Sequence, residues 1–238
     1  MKLALRTAPK FVLTVIPALA TAAIAALPTQ AATFSFARAD AEISNFNQIP
    51  LGTDATTNTQ ATSVFLSPNA AIATVADAQA AFITQPVNPA NLAFNFATAQ
   101  SQGSGDAYLG QGNSLATVLG TFSISPKNTF SFSFAARLGL KTSVDNPEAE
   151  TANAWGSIVF RLFDSNTGNL LDTFGLTGQS TSQGTPVFQA FSNNSNFAIS
   201  PSLDTDKTFF VEFGGVYLVR REYRPPLWWR MKGEAMTK

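Results

Sequence analysis

The chain has 238 residues, 45% of them hydrophobic, with 15 basic and 15 acidic side chains and neither cysteine nor histidine. Those absences exclude disulfide support, zinc sites built on Cys or His, and nucleophilic catalysis of the Ser-His-Asp or Cys-His kind. The zero net charge hides a division, +3 over residues 1–31, −7 over 32–219 and +4 over 220–238, and an acidic central part is unsuited to nucleic acid, whose phosphates attract clustered Lys and Arg.

The first element is at the N-terminus, where Lys2, Arg6 and Lys10 precede an apolar stretch from Phe11 to Leu27 and then Thr29-Gln30-Ala31-Ala32. Basic, apolar and small residues in that order predict a signal-peptide helix over 1–31, cleaved after Ala31 or Ala32. The stretch is seventeen residues long and is broken by Pro17 and bounded by Pro28. It is shorter than the ~20 residues of a membrane span, so no transmembrane anchor is expected. The mature chain is therefore expected to be exported, to the cell surface or beyond. About 207 residues then remain, enough for one domain with a sizeable core.

Beyond the leader, twenty of the twenty-one phenylalanines fall in the mature chain, and its stability rests on them. Alternation begins at Thr33-Phe34-Ser35-Phe36. The segment from Ala70 to Phe82 holds seven alanines, which suit a helix, while Ile72, Thr74, Ala76, Ala78, Ala80 and Phe82 at period two suit a strand. Its surroundings favour the strand. Further alternation appears at Phe94-Asn95-Phe96 and Phe122-Ser123-Ile124. The surest element follows Asn128, where Phe130, Phe132, Phe134, Ala136, Leu138 and Leu140 recur at strict period two, the mark of a half-buried strand. Ile158 to Leu162 continues the pattern, and Asp164 to Asn169 separates Val159–Phe163 from Leu170–Phe174 as a β-hairpin turn. Gly, Asn, Ser, Thr, Pro and Gln clusters, such as 101–106 and 177–186, supply other turns. Many short strands with turns between them predict an all-β fold over 32–219, an antiparallel two-sheet sandwich resembling a jelly roll.

Residues 220–238 differ in composition, with two of three tryptophans, two of three methionines and six basic residues. Three readings are open for this basic tail. It is an end replaced through an altered reading frame, a membrane-surface segment, or an ordinary terminal tail. Pro225 and Pro226 oppose a helix there.

No Gly-x-Ser-x-Gly, Ser-x-x-Lys or phosphate-binding Gly-rich loop is present. Acid–base chemistry would need two carboxylates, and the acids group as Asp145, Glu148 and Glu150 and as Asp204 and Asp206. The loop from Asp145 to Glu150, with Trp155 beyond it, is the candidate ligand-binding region, since an aromatic with a polar handle often floors a sugar site; Tyr108 is another such aromatic in the domain. Calcium is the one cofactor the acids suit, and Asp164, Asn166 and Asp172 form its candidate site. The third oxygen ligand and terminal Glu of an acidic calcium loop are missing there, and the same residues make a hairpin turn with no metal.

The leader, the mature start Ala32-Thr33-Phe34-Ser35-Phe36, the aromatic alternation and the stretch Thr142-Ser143-Val144-Asp145-Asn146-Pro147-Glu148-Ala149-Glu150-Thr151-Ala152-Asn153-Ala154 together resemble a group of uncharacterised exported β-sandwich proteins of cyanobacteria. Many proteins of that style belong to the PEP-CTERM sorting class, and the resemblance implies a place at the cell surface or in the extracellular matrix. This chain has Pro225-Pro226-Leu227 and basic residues near its end, but neither the Pro-Glu-Pro signal nor the apolar span of that class. The expected function is that of a non-catalytic structural or adhesive protein of the cell envelope or matrix, with polysaccharide or envelope components as partners. A carbohydrate-binding module is the alternative, and a glycan-acting enzyme with a carboxylate pair the second alternative.

Overall fold

In the computed structural model the described residues are 32–84, 91–123, 129–164, 168–192, 198–203, 209–220 and 227–237. The predicted signal peptide lies outside them, as do Asn166, Asp204 and Asp206. The described residues form twelve strands: β1 (Ala32–Ser44), β2 (Pro50–Phe65), β3 (Ala71–Ile83), β4 (Leu92–Ser104), β5 (Tyr108–Phe122), β6 (Thr129–Val144), β7 (Asn153–Asp164), β8 (Leu170–Thr181), β9 (Val187–Ser192), β10 (Ala198–Leu203), β11 (Phe209–Arg220) and β12 (Leu227–Thr237). They make two six-stranded antiparallel sheets, ordered β10-β11-β6-β1-β4-β3 and β2-β5-β12-β7-β8-β9. The expected all-β sandwich is the fold.

The period-two row on β6 organises the interior. Phe130, Phe132, Phe134, Ala136, Leu138 and Leu140 are all buried, at 5% exposure or less. Two aromatic groups form around it. Phe46, in the connection after β1, lies 5.3 Å from Phe122, 5.5 Å from Phe82 and 6.0 Å from Phe132, while Phe122 lies 4.7 Å from Phe130. Farther along, Phe134 packs 5.2 Å from Phe160 and 4.9 Å from Phe174, and these two stack at 4.8 Å. Such offset and tilted pairs add stabilisation beyond their buried area. Beyond the aromatics, Leu138 presses on Gly156, where a Cβ would come within 2.5 Å of its Cδ1, so a large residue on one sheet meets a small one on the other.

The alanine-rich segment is the strand β3. Its alternating residues Ile72, Thr74, Ala76, Ala78, Ala80 and Phe82 are all less exposed than their neighbours Ala71 to Gln79 on the other face. The expected hairpin is β7–β8, closed by Gly168 at a φ of 70° and by a hydrogen bond from Asp164 N to Asn169 O. Two expectations are corrected. First, phenylalanines on β1 and β4 do not feed the core: Ser35, Ala37, Ala39, Ala41 and Ile43 face inward, as do Ala93, Asn95, Ala97 and Ala99, leaving Phe34, Phe36, Phe94 and Phe96 on the outer row. Second, the domain does not stop at 219. Leu227–Thr237 is inserted between β5 and β7 in the middle of the second sheet, with Met231 and Ala235 fully buried. Met231, Gly233, Ala235 and Thr237 are its inward row.

Phe134→Ala would remove one member of the second aromatic group and leave a cavity that its β-sheet neighbours cannot collapse into. The expected loss is about 3–5 kcal/mol in stability, read from denaturant unfolding.

Candidate functional site

Side-chain size tapers along the interior. The row on β1 runs Ser35, Ala37, Ala39, Ala41 to Ile43, that on β5 runs Gly110, Gly112, Ser114, Ala116, Val118 and then Gly120 and Phe122, and on β12 Thr237, Ala235 and Gly233 are small where Met231 is large. One end is aromatic, with Phe46, Phe122 and Phe130 buried. The opposite end, where β1 begins, β4 turns into β5 and β6 leads to β7, holds small and hydroxyl-bearing residues, and there a cleft of about 730 Å³ opens.

Segments distant in sequence line it, with Leu66 and Ile72 among its apolar members. Thr33 and Ser35 come from β1, Gly105 and Asp106 from the β4–β5 turn with Tyr108 at the start of β5, and Asn146 and Glu150 from the β6–β7 connection with Asn153 at the start of β7. Pairing brings them together, since Thr33 is in register with Gly103 on one side and Val144 on the other. Gly105 adopts a φ of 101°, a left-handed conformation for which glycine is suited, and this lets the turn close against Asn69 and Ala70. The Tyr108 ring lies across Gly103, where any Cβ would collide with it.

A relay of hydrogen bonds crosses the cleft. The Thr33 hydroxyl lies 2.6 Å from the Tyr108 hydroxyl, which donates to Glu150 Oε1 at 3.1 Å, and the Asn146 amide donates to Glu150 Oε2 at 3.1 Å. The connection is one tight turn, with Glu150 N and Ala149 N both donating to Asn146 O. Behind Tyr108, Ser101 Oγ lies 3.2 Å from Thr74 Oγ1, which accepts from Ser63 Oγ at 3.1 Å. Asp106 and Glu150 are the charged residues of the lining, and neither Lys nor Arg is among it. Burial pushes the Tyr108 phenol above its ordinary 10.0; the Thr33 hydrogen bond opposes the rise, while the hydrogen bond to Glu150 and its negative charge add to it. Hydroxyls, amides and carboxylates of this kind suit hydrogen bonding to a polar ligand.

The expected site residues are separated. Glu150 lines the cleft, but Glu148 is exposed outside its lining. Asp145 is exposed at the end of β6, and its Oδ2 accepts from Ala32 N at 3.2 Å. Trp155 belongs to the outer row of β7, in register with Met236 and Gln179, away from the cleft. Of the calcium candidates, Asp164 and Asp172 are both buried at the base of the β7–β8 hairpin, and Thr173 N donates to Asp172 Oδ1 at 2.8 Å. Among the described residues no three acidic side chains gather as a metal site. Sequence spacing points to neither Thr33 nor Asp106 as cleft residues, because only sheet register brings them near Glu150.

No protein-family model, curated protein or solved structure matches this chain.

A phenol whose pKa rises on folding contributes stability fully below its unfolded pKa and loses it as pH rises through the folded value. The Tyr108 contribution is therefore present at neutral pH and is lost above about pH 10. Glu150→Gln removes the charge that adds to the rise, and ultraviolet titration should show one of the three tyrosines ionising at lower pH. Millimolar calcium and a chelator should give the same melting temperature, whereas a bound ion would raise it by mass action.

Proposed function

We propose that this is an exported, non-catalytic protein of the cell envelope or extracellular matrix that acts by surface contact, as a structural or adhesive element. The leader supports export, and the style of the mature chain supports the placement outside the cell. The observation that carries the contact reading is the outer face of β6-β1-β4. Phe34, Phe36, Phe94 and Phe96 stand there among charged side chains rather than in the core. The Arg38 guanidinium lies 4.9 Å from the centre of the Phe96 ring and 2.7 Å from Asp40 Oδ2, and Lys141 Nζ lies 5.5 Å from the centre of Phe34. Burial pushes the Asp40 carboxyl above its ordinary 3.8, opposed by the hydrogen bond from Arg38 and the charges of Arg38 and Arg137. Apolar rings rimmed by charge on a solvent-facing sheet are what a contact surface offers.

The cleft favours a second reading, a carbohydrate-binding module that uses Tyr108, Glu150, Asn146 and Thr33 as hydrogen-bonding partners of sugar hydroxyls. The two readings separate by mutation. With envelope polysaccharide as the retained phase, Phe36→Ser with Phe94→Ser should reduce binding on the order of tenfold or more if the outer face makes the contact, because aromatic anchors dominate interface energetics. Glu150→Gln and Tyr108→Phe should then leave retention unchanged. The reverse pattern would move the function to the cleft, and loss with neither pair would remove both readings.

A further inference from the structure

We infer that processing between Ala31 and Ala32 creates a binding partner for Asp145: the new α-ammonium of Ala32 is captured by the Asp145 carboxylate, locking the start of the sheet. This rests on the export reading above, and it selects one of the two cleavage positions that the sequence leaves open.

Ala32 is the first residue of β1, and its pairing is already complete. It is in register with Ser104 on β4. Across the other edge its nitrogen donates to Asp145 Oδ2 at 3.2 Å while its carbonyl accepts from Asp145 N at 3.1 Å. Asp145 therefore holds both backbone groups of one residue, one with its main chain and one with its side chain. The next residue is equally committed, with the Thr33 hydroxyl 2.6 Å from Tyr108. Cleavage after Ala32 would delete the first of these two attachments. Cleavage after Ala31 keeps both.

Hydrolysis of the Ala31–Ala32 bond adds one water, leaving a carboxylate on Ala31 and an amine on Ala32 that takes a proton at neutral pH. The peptide N–H that faces Asp145 Oδ2 becomes an ammonium at the same place, so a neutral donor becomes a charged one, and charge-assisted hydrogen bonds are the stronger kind. The surroundings suit a positive charge. Asp145, Glu148 and Glu150 lie in the six residues that follow β6, Asp106 lines the adjoining cleft, and no Lys or Arg lines that cleft. An uncleaved leader would leave a neutral peptide N–H in this acidic corner, so cleavage strengthens a contact that the strand already makes.

The test uses the full chain, leader included, expressed in a bacterium that exports it. Intact mass of the exported protein should correspond to a start at Ala32. A start at Thr33 would overturn the capture while leaving export intact, and a retained leader would overturn the export reading itself. The second measurement compares Asp145→Asn in the exported protein with the same substitution in a variant carrying one extra alanine after Ala31, in which residue 32 remains in peptide linkage. Because the pair is solvent-exposed, the expected loss in melting temperature is about 1–4 °C in the first background. It should be less than half as large in the second. Equal losses in the two backgrounds would show an ordinary hydrogen bond and overturn the capture.

Discussion

Burial of the β6 row against the opposite sheet is the constraint on which the molecule depends. With no cysteine, no disulfide holds the sheets together, and their attachment rests on apolar area removed from water. Phe130, Phe132 and Phe134 supply the largest share of that area from one strand, and each finds rings from other strands or connections at 4.7–6.0 Å. The neighbours of β6 in its own sheet, β1 and β11, are positioned by it. In the facing sheet β12 plays the corresponding central part, with Met231 wholly enclosed. Among the described residues β1 and β12, far apart in sequence, are thus both interior strands of their sheets.

The taper from rings to glycine follows from the same packing. Where phenylalanines meet, the rows are bulky, whereas at the opposite end they shrink to Ser35, Ser101, Gly110 and Gly112. Shrinkage draws backbones together as far as polar groups allow. A Cβ on Gly112 would lie 3.2 Å from that of Ala99 and 3.1 Å from Thr237 Oγ1, and one on Gly233 would lie 3.3 Å from Asn95 Oδ1. Near the rim, hydroxyls take over from methyl groups, and Tyr108 bridges the remaining width to Glu150. The cleft is thus the far end of a core that runs out of apolar side chains.

Much of this was legible in the sequence. Strict alternation of large apolar residues identifies β6, and a Gly-containing polar run between two apolar ones identifies the β7–β8 hairpin. The alanine segment was ambiguous because alanine serves helix and strand alike, and only the inward row from Ile72 to Phe82 resolves it. The final strand was hidden for a related reason. Met231, Gly233, Ala235 and Thr237 alternate correctly, but none is large and β-branched together, and the adjacent Pro, Trp and Arg residues dominate the composition. The cleft was the least legible part. Glu150 and Tyr108 stood out singly, but their meeting with Thr33 is a product of long-range register, which residue spacing along the chain does not encode.

The inversion on β1 and β4 has the most bearing on function. Alternation alone assigns phenylalanine to the core face, yet the core face here carries alanine, serine and asparagine. The close approach of β12 and β5 explains why, since a ring at Ala99 or at Asn95 would meet the strand where Gly112 and Gly233 already admit no Cβ comfortably. That accounts for small residues inside, but it does not account for rings outside, where a soluble sheet would be equally well formed with threonine or valine. Phe34, Phe36, Phe94 and Phe96 are therefore not required by the core that they surround. Their arrangement among Arg38, Asp40 and Lys141 gives the sheet an outer surface with both apolar area and fixed charge. Under the proposed contact role, that combination is what a second surface would be laid against.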